Sequence, residues 1–253
     1  MAKSVRRQAS LAPLSSLMSF GMVEQLNAVV CGVCGGTEFS DRRVLWSSLV
    51  TEWQLSPLEV DYVDRQQGTT CNKCGSNLRS VALANAIRAH FQDEGMLQEI
   101  VEREAFKSVL EINEAGSLGP ILRRLNGHVL ATYPEVDIHC LPYGDASFDL
   151  VVHSDTLEHV DNPVHALAEC RRVLKPGGAL CFTIPIIVGR ISRDRAGLAK
   201  SYHGDPAAPS DDFAVRTEFG ADAWTYLMEA GFSTISIHAV GYPAATAFRA
   251  LKI

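Results

Sequence analysis

From Ser108 onward the chain alternates short apolar runs with amphipathic stretches, and few folds accept that rhythm. SVLEI, HVLAT, VDIHC, FDLVV, ALCFTI, STISIHAV and TAFRALKI have the apolar density of strands. SLGPILRRL, NPVHALAECRRVL and GADAWTYLMEAG carry helical spacing. Apolar strands separated by helices predict an α/β fold: a doubly wound, mostly parallel sheet with helices on both faces. GYPAA, between the last two strand candidates, is too short for a crossover helix, so those two should pair antiparallel. Asn162 is placed to cap a helix with Pro163 at its first position and Gly177-Gly178 beyond its end. Upstream, LRSVALANAIRAHF puts Val81, Leu83, Ala84, Ile87 and Phe91 on one helical stripe. The polar stretch 188–216, with RDRAG and HGDPAAPSDD, breaks the strand–helix rhythm and is a candidate lid.

Ahead of this region stand two matched pairs, Cys31-Gly-Val-Cys34-Gly and Cys71-Asn-Lys-Cys74-Gly. Each spacing sets two thiolates on a tight turn, and the following glycine lets backbone amides point at sulfur. Four thiolates at about 2.3 Å around one ion close a tetrahedral shell, the usual arrangement for structural Zn2+. No coordination position is left for chemistry, so Cys31, Cys34, Cys71 and Cys74 are read as metal ligands of a small zinc-ribbon-like module that folds with its metal. The organisation expected is a disordered start over 1–23, a metal-binding module over 24–80 and a main domain over 81–253. Within the latter, 81–107 are leading helices and 108–253 the α/β core.

Composition narrows the function classes. A chain of 253 residues suits one large domain, or a medium domain with a small module. With 47% hydrophobic residues it is globular, and no apolar run approaches the roughly 18 residues of a membrane span. A formal charge of −6 excludes a bulk basic surface and disfavours nucleic acid as a partner. The basic, acid-free start with Lys3, Arg6 and Arg7 also fits a transit peptide. Paired and buried-looking thiols point to a reducing, cytoplasmic setting.

The run from Val136 to Pro185 holds four ordered pieces: an Asp four residues before Leu-Pro-aromatic, an SFDLVV strand, an LEHV turn, and RVLKPGG opening the next strand. It resembles the class I S-adenosylmethionine-dependent methyltransferases of small-molecule type, closely over this block and at fold level from Ser108 to the end. The resemblance implies a Rossmann-like seven-stranded sheet with the last strand antiparallel, and S-adenosyl-L-methionine as cofactor. Asp137 at a strand end is placed to accept from an adenine amine, with Ile138 beside it, and the family uses that position so. Glu111 stands for the acid that precedes the family's glycine loop. The glycine places themselves hold Asn113, Ala115 and Ser117, with Gly116 one step out of register. Asn tolerates positive φ and Ala-Gly admits a close backbone approach, so Asn113, Ala115 and Gly116 remain cofactor candidates. Tyr133, with Glu135 the nearest acid, could meet the adenosine; Ser154 and Asp155 lie at a strand end where such ligands bind, and Asp155 and His159 sit where the methyl group should project.

Methyl transfer needs alignment of the acceptor and a proton acceptor when the nucleophile is a hydroxyl or ammonium. Asp155, His159 and His203 are the catalytic candidates; His153, on a strand, is read as core. The front module resembles zinc-bearing front ends of some methyltransferases. Trp46 and Trp53 would belong either to its core or to an acceptor surface. The leading expectation is a methyltransferase acting on a small-molecule or sugar-type acceptor. The alternatives are an RNA methyltransferase that grips nucleic acid with the zinc module, and a non-catalytic binding protein that keeps the fold.

Overall fold

The computed structural model describes residues 29–104, 107–202 and 211–253. The expected disordered segment 1–23 and the catalytic candidate His203 lie outside the described residues.

The central sheet is built from β3 (Val109–Ile112), β4 (His128–Ala131), β5 (Phe148–Ser154), β6 (Leu174–Thr183), β10 (Thr234–Val240) and β11 (Ala245–Leu251). Their order is β10-β11-β6-β5-β3-β4. β4, β3, β5 and β6 run parallel, while β11 is antiparallel to β6 and to β10. Val109, Leu150, Val152, Ala179, Cys181, Ala245 and Ala247 pack on one face. Leu110, Ile112, Val151, Leu180, Phe182 and Phe248 pack on the other. Burial on both faces is why the strands read as unbroken apolar runs.

α3 (Leu78–Phe91) supplies one layer, its Val81, Leu83, Ala84 and Ile87 all fully buried. Asn77 caps it by accepting from the Ser80 N–H at 2.9 Å. The following α4 (Leu97–Glu102) joins the same core through Leu97, Ile100 and Val101. After β3 a 3-10 turn (Gly116–Leu118) leads into the short α5 (Gly119–Leu122). α6 (Pro163–Val173) covers the opposite face, and Asn162 accepts from the His165 N–H at 3.0 Å with Pro163 leading, as the sequence predicts. α7 (Trp224–Glu229) packs beside it through the buried Leu227.

Two expectations need correction. The VDIHC segment is no strand: residues 136–140 run as turns. Asp137 Oδ1 accepts from the His139 N–H at 2.8 Å and meets His139 Nδ1 at 2.9 Å, while His139 Nε2 accepts from the Asn162 N–H at 3.3 Å. These side-chain bonds satisfy the backbone locally and replace a ladder. The main sheet therefore has six strands among the described residues, in place of the expected seven. The described part of the stretch 188–216 contains one short strand, Arg193–Asp194, and is flanked by two more. β7 (Ile186–Ile187), β8 (Arg193–Asp194) and β9 (Thr217–Gly220) form a second sheet in the order β7-β9-β8.

In the front module, β1 (Phe39–Asp41) pairs antiparallel with β2 (Thr69–Cys71). Between them are inserted α1 (Ser47–Glu52) and α2 (Pro57–Gly68), the latter opened by a Ser56/Glu59 capping box. The module is fastened to the second sheet. Arg190 donates to the Trp53 carbonyl at 2.8 Å and to both Glu59 carboxylate oxygens at 2.7 and 3.1 Å. That guanidinium holds the Glu59 carboxyl down at about 2. Among the described residues no helix is long and apolar enough to cross a membrane.

Candidate active site and metal centre

The two Cys-containing turns have the same internal build. Cys31 N–H donates to the Gly36 carbonyl at 2.8 Å, and Cys71 N–H to the Ser76 carbonyl at 2.9 Å. Gly35 and Gly75 both sit at φ 76°, a conformation other residues rarely adopt. The four sulfurs lie within 4.8 Å of one another, with Cys31–Cys74 at 3.7 Å and Cys34–Cys71 at 3.8 Å. A tetrahedron with bonds of about 2.3 Å has sulfur–sulfur edges of about 3.8 Å. The donor set therefore fits a tetrahedral, thiolate-liking ion. A Cβ at Gly36 would come within 2.8 Å of Cys71 Sγ, so the cluster tolerates no side chain there.

The loop after β3 begins with residues in an unusual conformation. Asn113, Glu114 and Gly116 have φ of 53°, 56° and 56°. Glu111 is fully buried beneath them. Its Oε1 accepts from the Ala115 N–H at 2.7 Å, and its Oε2 lies 2.6 Å from His128 Nε2. The carboxylate thus shapes the loop from below. Asn113 Oδ1 accepts from the Tyr133 N–H at 2.9 Å, tying the loop to the end of β4. Ser117 Oγ donates to Ser76 Oγ at 2.8 Å, and Cys74 Sγ lies 3.3 Å from that same oxygen. The second Cys turn and the β3 loop are therefore linked through one hydroxyl. A Cβ at Gly116 would stand 3.3 Å from Ser80 Oγ at the start of α3. Gly116 is exposed, while Ala115 is fully buried, its N–H bound to Glu111 and its carbonyl to the Leu118 N–H.

Beside it, Ser154 and Asp155 end β5, whose His153 pairs in register with Ile112 of β3. Ser154 Oγ and Thr183 Oγ1 are 2.8 Å apart. Asp155 has φ 51°, so a non-glycine residue is held in the left-handed region at the strand end. Its carboxylate is ion-paired with Arg79 of α3, and the Gln67 carboxamide oxygen accepts from the same guanidinium at 2.7 Å. His159 follows on a 3-10 turn, with Nδ1 3.2 Å from the Ala214 carbonyl and Nε2 3.6 Å from the buried Glu158 carboxylate. Asp155 and His159 line one cavity of about 270 Å³ together with Gln67, Arg79, Trp46 and Trp53. His153 is core, fully buried and stacked on Phe182 at 4.7 Å, where burial pushes its imidazole down to about 3.

Asp137 and Tyr133 are exposed beyond β4, and Ile138 between them and α6 is buried. The N–H and ring of His139 hold the Asp137 carboxyl below its usual range. The candidates thus fall into two groups at the same sheet edge: the β3 loop with Tyr133, and Asp155 with His159. The residues with no role in the sequence reading are Arg79 and Gln67. Arg79 comes directly after the second Cys turn in LRSV, but only the tertiary fold aims it at Asp155.

Residues 94–182, which run from just before α4 to within one residue of the end of β6, match a family model described as a methyltransferase domain. That segment is similar to a methyltransferase domain. A probable S-adenosylmethionine-dependent methyltransferase of Mycolicibacterium smegmatis is 34% identical over 111 residues, 36% of this chain and 43% of the relative. A ubiquinone biosynthesis O-methyltransferase of Hahella chejuensis is 26% identical over 151 residues, 58% of each chain. The chain thus spans about half the length of these curated relatives. A crystal structure of a Thermotoga maritima methyltransferase, described as a possible histamine N-methyltransferase, aligns with a TM-score of 0.39 and 18% identity. That alignment covers 62% of this chain and 88% of the other.

Proposed function

We propose that the protein transfers the methyl group of S-adenosylmethionine to a small-molecule acceptor by in-line displacement, and that its four clustered cysteines hold one structural zinc ion. One observation carries the reading. The Asn113–Ser117 loop and Ser154–Asp155 lie side by side at the carboxyl ends of the adjacent parallel strands β3 and β5, inside the segment that matches the methyltransferase model. Ligands of open α/β sheets bind at such ends.

When bound, the cofactor supplies a methyl carbon on a cationic sulfur, whose departure as a neutral thioether needs no acid. The chain's residues have the remaining tasks. Backbone at Asn113 and Gly116 would receive the amino-acid end; Ala115, a candidate in the sequence, is instead buried with its N–H bound to Glu111, which fixes the loop. Asp137 would accept from the adenine amine, with Ile138 beneath it and Tyr133 against the adenosine. Asp155 and His159, both on the cavity, are the groups to receive an acceptor's proton. The relatives named O-methyltransferases support a hydroxyl acceptor.

Calorimetric titration with S-adenosylmethionine tests this. Saturable binding is expected, and Asp137→Ala should weaken it about tenfold while moving stability by less than about 1 kcal/mol. No heat of binding up to millimolar cofactor would sink the enzyme reading. Undiminished affinity in the Asp137→Ala protein would put the adenine elsewhere.

A further inference from the structure

The cavity that holds Asp155 and His159 has a lining that divides into a few polar groups and an apolar remainder. It lies between α1 and α2 of the front module and the segment following β6. Its polar groups, Gln67, Arg79, Asp155 and His159, come from the ion-paired cluster at the end of β5 and its neighbours. The remaining lining is apolar, including Trp46, Trp53 and Phe213. The Trp53 indole Nε1 already donates to Ser201 Oγ at 2.7 Å, so what that side chain offers further is ring surface.

We propose that this cavity is the acceptor site and that it takes a planar aromatic molecule carrying an ionisable hydroxyl. The proposal rests on the methyl-transfer reading and adds the substrate class to it. A sugar presents hydroxyls around its whole ring and needs polar partners on every side; this cavity gathers them in one cluster. An apolar ring with a single polar group matches that division. Aromatic walls favour a flat ring through stacked and edge-on contacts. The cavity's volume of about 270 Å³ sits at the small end for ligand pockets and suits a one-ring molecule. Arg79, 6% exposed, is ion-paired with Asp155, and that charged pair gives the cavity one polar end against which a single hydroxyl can orient and lose its proton. The front module then does more than fold around its metal, since it supplies the walls that choose the acceptor.

The test uses tryptophan fluorescence. The chain has 3 Trp, of which Trp46 and Trp53 line the cavity and Trp224 is exposed elsewhere. Full-length protein carrying Trp224→Phe should show saturable quenching by 4-nitrophenol, a flat phenol whose absorption overlaps tryptophan emission. Nitrobenzene should bind several-fold more weakly, and methyl glucoside should not compete. Phe213 is 51% exposed, so Phe213→Asp leaves the core untouched and should weaken 4-nitrophenol by about tenfold. Non-saturable quenching, displacement by methyl glucoside, or no effect of Phe213→Asp overturns the proposal; equal binding of nitrobenzene overturns its hydroxyl part. Calorimetry with S-adenosylmethionine runs alongside. Cofactor binding without phenol binding rejects the acceptor class and leaves methyl transfer standing. Phenol binding without cofactor binding does the reverse.

Discussion

The two Cys turns and the loop after β3 are built on opposite plans. In each Cys turn the geometry is written into about six consecutive residues. Gly35 and Gly75 take the left-handed position at φ 76°, and short N–H to carbonyl bonds close each turn on itself. The β3 loop also needs left-handed backbone, yet it places Asn113 and Glu114 there. Such positions cost non-glycine residues about 1 kcal/mol or more each. The loop is held from outside: Glu111 and His128 from below, Tyr133 from the β4 end, Ser76 from the front module. Glycine-set turns are autonomous. A turn set by distant partners is only as stable as those partners.

The strongest challenge to this contrast is Cys71→Ser. Metal analysis should fall from about one zinc per chain to none, and the module should lose its cooperative thermal transition, because the binding energy of a structural site is folding energy. The Ser76 hydroxyl joins Cys74 to Ser117, so cofactor affinity measured by calorimetry should collapse as well. Retained affinity in the metal-free variant would show that the loop stands without the module.

Next in size is Glu111→Ala. It strips the loop of its internal acceptor and leaves His128 facing a buried gap. A loss of about 3 kcal/mol in denaturant unfolding is expected. A value below about 1 kcal/mol would mean that the loop holds its shape without the carboxylate.

The smallest effect is expected for Asn113→Gly. Glycine relieves the strain at φ 53° but removes the bond to the Tyr133 N–H. The two should nearly cancel, leaving a change within about 1 kcal/mol. A larger destabilisation would make the side-chain clamp, and not the backbone conformation, the reason asparagine stands at this place.

Much of the architecture was legible because it rests on local signals. The stripe in LRSVALANAIRAHF gave α3, the Asn162-Pro163 start gave α6, and the short GYPAA link gave the antiparallel β10–β11 pair. VDIHC misled because its apolar alternation says nothing about the Asx-type bonds to His139 that turn the chain. The Cys quartet was legible from spacing alone. The cavity was not, since Trp53, Gln67, Arg79, Asp155 and Phe213 sit far apart in the chain.

By itself, the sequence determined the alternating α/β layers and the four-sulfur cluster, because periodicity, caps and glycine-set turns act over a few residues. Only the tertiary structure decided that the front module packs into the same core as the sheet. It also decided that Arg79 meets Asp155 and that Trp46, Trp53 and Phe213 line one cavity with that pair. Those contacts join residues as much as about 170 positions apart, and no local propensity encodes them.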